Sequence, residues 1–130
     1  MFFWYKWKKK KSSISNISKI GLSPFILISK ELLFICGENK ISIININEYE
    51  LIRKIEVSNS GWINGACMLN ENIILTGDSN SNIKEWKIEG DNLILISTKE
   101  NAHNNYIYTI LKIGDNHILT GDGSGEEKIW

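Results

Sequence analysis

The chain has 130 residues, of which 42% are hydrophobic, and its fifteen Lys and Arg residues are balanced by fifteen Asp and Glu residues. This length is typical of a single domain, and the hydrophobic content is sufficient for a packed core. A formal net charge of zero gives no reason to predict a nucleic-acid partner, because binding to phosphates requires an excess of basic residues.

Residues 1–16 are basic and aromatic, and they are predicted to lie outside the fold. Lys6 and the run Lys8–Lys11 supply five of the fifteen basic residues, and they follow a short apolar stretch. A secretory signal peptide has the opposite order. Three interpretations remain open: a disordered tail, residues read in from a mis-set coding start or exon border, or a segment whose aromatic and lysine side chains bind an anionic membrane surface. No apolar run approaches about 18 residues, so no transmembrane helix is predicted.

Residues 17–130 are predicted to form short strands and turns without helix, because apolar and β-branched runs alternate with clusters of Asn, Gly, Asp and Ser. The strands fall into three segments, 17–57, 58–98 and 99–130, of which the last is incomplete. The predicted strands are 25–29, 32–37, 41–45 and 51–57, then 62–69, 73–77, 83–88 and 93–98, then 107–113, 118–121 and one that begins at about 127.

An internal repeat defines the fold class. The sequence Ile-Leu-Thr-Gly-Asp at Ile74–Asp78 returns 44 residues later at Ile118–Asp122, and a tryptophan follows the glycine by nine residues in both copies, at Trp86 and Trp130. A less similar copy upstream places Gly37 on the glycine of the motif. A period of about 40 to 45 residues with four short strands is typical of one propeller blade. We therefore predict an all-β chain that forms an incomplete β-propeller of antiparallel four-stranded blades.

Over about residues 20–130 the repeat resembles the WD-repeat (WD40) family of β-propellers. That family has a histidine before the first strand of a blade, a Ser or Thr before a glycine in the second, an aspartate in the next turn and a tryptophan in the third strand. In the last segment His103, Thr120 and Trp130 match, whereas Ser124 stands at the aspartate position. The resemblance implies that these four positions form a hydrogen-bonded stack within the blade.

The two earlier segments match the family less fully. In the second, Thr76 and Trp86 match, but Asn59 replaces the histidine and Asn80 replaces the aspartate. The first segment keeps only Gly37 of the pattern.

The resemblance implies that the repeated residues are structural rather than catalytic. A buried indole N–H needs an acceptor, and a threonine hydroxyl both donates and accepts hydrogen bonds. The structural repeat residues are Gly37, Thr76, Gly77, Trp86, His103, Thr120, Gly121 and Trp130. No catalytic residue, cofactor or metal site is predicted, since the sequence has no reactive constellation of side chains.

Cysteine usage gives an expectation about location. Cys36 and Cys67 both lie in apolar runs, without a CxxC motif or a Cys/His cluster around them. We interpret them as buried free thiols, which are typical of a reducing compartment. The chain is therefore expected to be cytoplasmic.

The resemblance implies a non-enzymatic protein-interaction or scaffold module. A propeller needs four to eight blades, so we expect a fragment of a larger propeller, or one that is completed by further blades or by self-association. The expected partner is a protein and not nucleic acid. Trp62 and Tyr106 begin equivalent strands and are the candidate protein-binding residues, because aromatic side chains dominate interface hot spots; packing between blades is the alternative.

Two other functions remain open from the sequence. The chain could be a substrate-recruiting piece of a multidomain enzyme, such as a kinase or a ubiquitin-ligase component. It could instead be a membrane-peripheral adaptor that binds through residues 1–16.

Overall fold

The computed structural model describes residues 24–130. These residues form eleven β-strands and no helix, so the prediction of an all-β fold is confirmed for the described part of the chain. The predicted tail, residues 1–16, and the predicted start of the first segment, residues 17–23, lie outside the described residues. Within residues 24–130 no helix is long and apolar enough to cross a membrane.

The strands form three antiparallel sheets in chain order, and within each sheet a strand pairs only with the strands next to it in sequence. The first sheet contains β1 (Phe25–Leu27), β2 (Leu32–Cys36), β3 (Lys40–Asn45) and β4 (Glu50–Glu56). The second contains β5 (Ile63–Asn70), β6 (Ile73–Asp78), β7 (Ile83–Glu89) and β8 (Asn92–Lys99). The third contains β9 (Ile107–Ile113), β10 (His117–Asp122) and β11 (Glu127–Ile129). The predicted antiparallel four-stranded blades are therefore confirmed in the first two sheets, and the third has three strands.

The turns between strands explain the clusters of Asn and Gly. Gly90 and Gly114 both have a φ of 62° in the turns after β7 and β9, a left-handed conformation that glycine adopts without steric cost. In the turn after β5, the side-chain oxygen of Asn70 accepts a hydrogen bond of 2.9 Å from the backbone N–H of Asn72. Such local bonds favour turns over continued strands.

Two apolar cores join the three sheets. Ile74 and Trp86 of the second sheet pack with Phe34 and Ile43 of the first. The next residue along β6, Leu75, packs instead with Ile110 and other residues of the third sheet. Adjacent strand residues point to opposite faces, so one strand serves both cores. Full burial of side chains of this size stabilises a fold by about 1.5 to 3 kcal/mol each.

The sheets approach each other most closely along one edge. A Cβ atom on Gly65 of β5 would lie 3.0 Å from the backbone nitrogen of Ile110 in β9, and one on Gly77 would lie 2.5 Å from Cγ2 of Ile107. The side-chain amide of Asn64 also donates to the carbonyl of Ile107 at 3.2 Å. Because β1, β5 and β9 are the first edge strands of their sheets, the sheets fan out from this edge as propeller blades do.

Candidate functional site

A buried polar stack connects the loop before β9 to the body of the third sheet. His103 Nε2 lies 2.7 Å from Thr120 Oγ1, and the indole N–H of Trp130 donates to the same oxygen at 2.8 Å. His103 and Thr120 are 3% and 0% exposed. The structure thus brings together the three residues of the last segment that match the WD-repeat pattern.

Asp122 is the fourth member of this stack, which corrects the prediction that Ser124 occupies the aspartate position. One carboxylate oxygen accepts from the backbone N–H and the hydroxyl of Ser124, at 2.9 and 2.7 Å, and from the N–H of Glu126 at 3.0 Å. The other lies 3.2 Å from His103 Nδ1. The pairing of β10 with β9 shifts between Gly121 and Asp122, and an irregularity of this kind re-aims a side chain.

The hydrogen bonds around Asp122 favour its ionised form. They lower the pKa of its carboxyl group to about 2, and the hydroxyl of Ser124 makes the largest contribution. Burial acts in the opposite direction, and the backbone N–H groups of Glu126 and Ser124 add to the lowering. The carboxylate is therefore negatively charged at neutral pH, facing the imidazole of His103.

The hydrogen bonds also indicate which nitrogen of His103 carries the proton. Trp130 donates to Thr120 Oγ1, so the hydroxyl proton of Thr120 has two acceptors within reach: His103 Nε2 at 2.7 Å and the carbonyl of Lys128 at 3.5 Å. In the tautomer whose Nε2 accepts at the shorter contact, the ring proton lies on Nδ1. That proton faces Asp122, although neither Nδ1 nor the facing oxygen makes a well-directed hydrogen bond among the described residues.

The same side chains could be considered as metal ligands. His103, Asp122 and Glu126 each place one ligand atom within 4.8 Å of the others. Glu126 also pairs with Lys128 at 3.5 Å. Binding of a metal ion here would require the loss of any proton on Nδ1 and would compete with Lys128 for the carboxylate of Glu126.

The second sheet repeats half of the stack. The indole N–H of Trp86 donates to Thr76 Oγ1 at 2.9 Å. Asn59 holds the loop position that His103 holds in the third sheet, but its side-chain oxygen lies at the surface and accepts from the amide of Asn80 at 3.2 Å. The side chain of Asn59 therefore does not replace the histidine.

Lys84 fills the space below this loop. Its Nζ donates to the carbonyl of Asn59 and to Asp78 Oδ2, both at 3.1 Å, and the Lys84 and Asp78 side chains are 3% and 2% exposed. The other oxygen of Asp78 accepts from the N–H groups of Asn80 and Asn82, each at 3.0 Å. Asp78 thus plays the part predicted for position 80, a second correction. Burial, the largest effect, raises the pKa of Asp78, and the bonds to Asn82 and Lys84 oppose it.

In the described part of the first sheet, the residues equivalent to those of the second sheet are shifted by one position from the equivalences that the sequence repeat predicted. The N–H of Gly37 donates to the carbonyl of Lys40, as the N–H of Asp78 donates to that of Asn82. Gly37 therefore occupies the aspartate position, which corrects its predicted equivalence to Gly77. The threonine and tryptophan positions hold Ile35 and Ile44. Aliphatic side chains cannot form the stack, so this sheet relies on apolar packing.

The loops above the stacks form one surface, which we call the loop rim. It comprises residues 57–62, 79–82, 100–106 and 123–126. Within the second sheet, the N–H of Ser79 donates to the carbonyl of Trp62 at 2.8 Å. Between sheets, the hydroxyl of Ser81 donates to the carbonyl of Asn105 at 2.6 Å. These bonds hold neighbouring loops in fixed positions relative to one another.

Trp62 and Tyr106 both lie at the loop rim and are partly exposed, at 37% and 42%. The ring of Tyr106 contacts that of Tyr108 edge-on, with ring centres 5.0 Å apart. It also covers Gly123, where an added Cβ would lie 2.6 Å from the ring. Packing between the sheets therefore does not bury either aromatic side chain, and both present a face at the rim.

A pocket of about 420 Å³ opens beside the loop rim, between the first and second sheets. Its lining residues include Glu38, Glu56, Asn59 and Asn80. Glu56 pairs with Lys40 at 3.4 Å. The pocket is polar and acidic, which suits a cationic or hydrogen-bond-donating group.

Comparison with solved structures decides the architecture. The chain is similar to the crystal structure of the WD40 beta propeller domain of Doa1, with a TM-score of 0.67 and 12% sequence identity. The fold is that of part of a WD40 β-propeller. The match covers 82% of this chain and 35% of that chain, so the present chain corresponds to about a third of the solved domain. No family model matches the sequence, and no curated protein matches it.

Sequence reasoning missed three residues of the WD40-like stacks. Asp78 and Asp122 hold equivalent positions 44 residues apart, as do Lys84 and Lys128. That exact repetition was a usable signal for the aspartates. The same repetition marks Lys84, but its two partners lie in a loop and in another strand, so the spacing does not identify them.

Proposed function

We propose that this chain is a non-enzymatic protein-interaction module that binds a protein partner through the loop rim. The observation that carries the proposal is the pair of half-exposed rings, Trp62 and Tyr106, held at the same rim by hydrogen-bonded loops. Aromatic residues contribute strongly to interfaces because they bury much area with few torsions to order.

The polar stacks support this proposal by making the rim rigid before binding. His103, Lys84 and the two aspartates all bond to loop or turn backbone, or to each other, beneath the rim. A surface that is already ordered loses less conformational entropy on association.

The acidic pocket suggests the chemistry of the partner. Glu38 and Glu56 line it next to the loop that carries Trp62. We propose that the partner presents a lysine or arginine side chain here, with an apolar group on the aromatic rings. Recruitment of a substrate for an attached enzyme would use the same rim, whereas membrane binding would use residues 1–16, outside the described residues.

A capture experiment tests the rim. The full chain, Trp62→Ala and Tyr106→Ala are immobilised, and the proteins that each captures from a cell lysate are quantified by mass spectrometry. Tyr49→Ala is the control, because Tyr49 is also 37% exposed but lies in the turn after β3. We expect a shared set of proteins whose capture falls at least tenfold with both rim variants and is unchanged in the control. Equal capture by all four proteins of unchanged thermal stability would refute the assignment.

The two cysteines support a proposed cytoplasmic location. Both Cys36 and Cys67 are free, and burial raises the pKa of each thiol. Unreactive free thiols persist in a reducing compartment.

A further inference from the structure

Two buried polar atoms of the third-sheet stack face each other without a hydrogen-bond partner among the described residues. They are Nδ1 of His103 and Oδ2 of Asp122, which lie 3.2 Å apart, and both side chains are 0% exposed. Buried polar atoms nearly always have a partner. Two such atoms at one place therefore indicate a ligand that both can bind.

Glu126 brings a third ligand atom to the same place. It lies between β10 and β11, and one of its carboxylate oxygens is 3.4 Å from Nδ1 of His103. The ligand atoms of His103, Asp122 and Glu126 all lie within 4.8 Å of one another. The side chain of Glu126 is 41% exposed, so an ion can reach the group from solvent on this side.

The distances between these atoms fit a tetrahedral metal ion. Imidazole nitrogen and carboxylate oxygen both bind Zn²⁺ at about 2.0 to 2.2 Å, so two such ligands in a tetrahedral site are about 3.3 to 3.5 Å apart. From Nδ1 of His103, the distances are 3.2 Å to Asp122 and 3.4 Å to Glu126. An imidazole beside two carboxylates suits Zn²⁺ better than Mg²⁺ or Ca²⁺, which prefer oxygen ligands.

The rest of the stack can orient His103 as a metal ligand. A metal-bound histidine normally donates its other ring N–H to a fixed acceptor. With Nδ1 on an ion, the ring proton lies on Nε2, which then donates to Thr120 Oγ1 at 2.7 Å. That oxygen has two lone pairs and also accepts from Trp130, and its own proton faces the carbonyl of Lys128 at 3.5 Å. The second tautomer of His103 therefore keeps every contact of the stack.

The second sheet places a cation at the equivalent position. Oδ2 of Asp78, the counterpart of Oδ2 of Asp122, lies 3.1 Å from the ammonium group of Lys84. The counterpart of that lysine, Lys128, instead donates to a loop carbonyl at 2.8 Å and pairs with Glu126 at 3.5 Å. The acidic position thus binds a positive charge directly in one blade, whereas in the other the lysine lies to one side of it.

We propose that His103, Asp122 and Glu126 bind Zn²⁺. The ion would connect the loop before β9 to β10 and to the segment before β11, and it would displace Lys128 from Glu126. Three protein ligands leave a fourth position for water. The sequence predicted no metal site because these residues do not form a recognised metal-binding motif. The proposal is independent of whether Trp62 and Tyr106 bind a partner.

The first experiment titrates the full 130-residue chain with Zn²⁺ by calorimetry under reducing conditions. We expect one ion per chain. Glu126→Gln should weaken binding at least tenfold, because it removes a charged ligand without disturbing the buried stack. Glu127→Gln is the matched control, since Glu127 is an adjacent exposed carboxylate outside the group. No saturable uptake of Zn²⁺, or equal affinities of the two variants, would overturn the proposal.

A second experiment locates the ion. Nitrogen-15 NMR of the imidazole rings should show Zn²⁺ on Nδ1 of His103 and a proton on its Nε2, with no change at His117, an exposed residue of β10. Cobalt(II) at one equivalent should give no thiolate charge-transfer absorption, because neither cysteine is among the ligands. A change at His117 with none at His103, or absorption from a cobalt bond to Cys67, would reject the site.

Discussion

Lys84 Nζ lies 3.1 Å from Asp78 Oδ2 in the second sheet, and the two side chains form an ion pair that is almost completely buried. In the third sheet, a histidine faces the corresponding aspartate instead. A lysine and a histidine thus face the same acidic position in consecutive blades. The position of the aspartate is fixed by the turn that follows it, and the side chain opposite can vary.

Loss of the lysine should be costly because it leaves the buried carboxyl group of Asp78 without its partner. Removal of one partner from a buried ion pair typically destabilises a protein by about 3 to 5 kcal/mol. We expect Lys84→Met to fall in that range in urea denaturation. The control is Lys87→Met, at a lysine that is 51% exposed in its ion pair. The double variant Lys84→Met with Asp78→Asn should be more stable than Lys84→Met alone; equal losses for Lys84→Met and Lys87→Met would contradict the buried pair.

The stack of the third sheet predicts a stability loss for His103→Ala. The contact to Thr120 is short, and the stack includes Asp122, so the loss should lie within the range of about 1 to 3 kcal/mol for a buried hydrogen-bond partner. Asn104→Ala provides an adjacent exposed control. Thr120→Val, which removes the shared oxygen, should be at least as destabilising as His103→Ala. Similar unfolding midpoints for His103→Ala and Asn104→Ala would show that the stack contributes nothing.

The lowered pKa of Asp122 predicts a loss of stability in acid. Its pKa is about 2 in the folded chain, below the value of about 4 expected when unfolded, so the carboxylate form favours folding. This contribution is present above about pH 4 and disappears as the pH falls towards 2. Asp122→Asn should remove this part of the pH dependence in denaturation curves.

Ser124 gives a direct test of the cause, because its hydroxyl makes the largest contribution to the lowered pKa of Asp122. Ser124→Ala should raise that pKa, as measured by carbon-detected NMR titration of the carboxyl group. An unchanged titration midpoint would assign the shift to the backbone N–H groups instead.

Asp78 should show the opposite pH dependence, because burial raises the pKa of its carboxyl group. Its contribution to the stability of the fold should decrease as the pH rises above about 4.

The two glycines of the repeat predict unequal effects of the same substitution. A Cβ at Gly77 would lie 2.5 Å from Cγ2 and 3.1 Å from Cβ of Ile107, whereas one at Gly121 would meet only the Thr109 methyl group at 3.0 Å. Gly77→Ala should therefore cost about 1 to 3 kcal/mol through overpacking, and Gly121→Ala less. Thermal unfolding of the two variants provides the comparison. A larger loss for Gly121→Ala would show that the contact with Ile107 relaxes without cost.

The sequence predicted the strands well because each is a short apolar run between clear turn residues. The predicted strand ends differ from those observed by at most two residues. The Thr76 and Trp86 contact followed from the resemblance to the WD-repeat pattern, which places a hydroxyl and a tryptophan of neighbouring strands in one stack. These features depend on local sequence and on a constant spacing.

The remaining details of the stacks depend on geometry that spacing does not encode. The shift in pairing after Gly121 turns Asp122 inward, and a count of residues from the glycine therefore selected Ser124. In the first segment, the turn after Gly37 is one residue shorter than the turn after Asp78 in the second. An alignment of the repeats by sequence therefore placed Gly37 on Gly77 and not on Asp78. Lys84 was missed because its role depends on a backbone carbonyl 25 residues away.

The assignment of Ile74 and Leu75 to opposite cores also affects how the chain should open. Among the described residues, the second sheet packs on both of its faces, whereas Leu111 and Ile129 of the third sheet are more than half exposed. In arrays where each unit contacts only its neighbours, local opening begins at the exposed end and spreads inward. Amide protons of β6 should therefore exchange with solvent more slowly than the equivalent protons of β10, which makes the middle sheet the slowest part of the described chain to unfold.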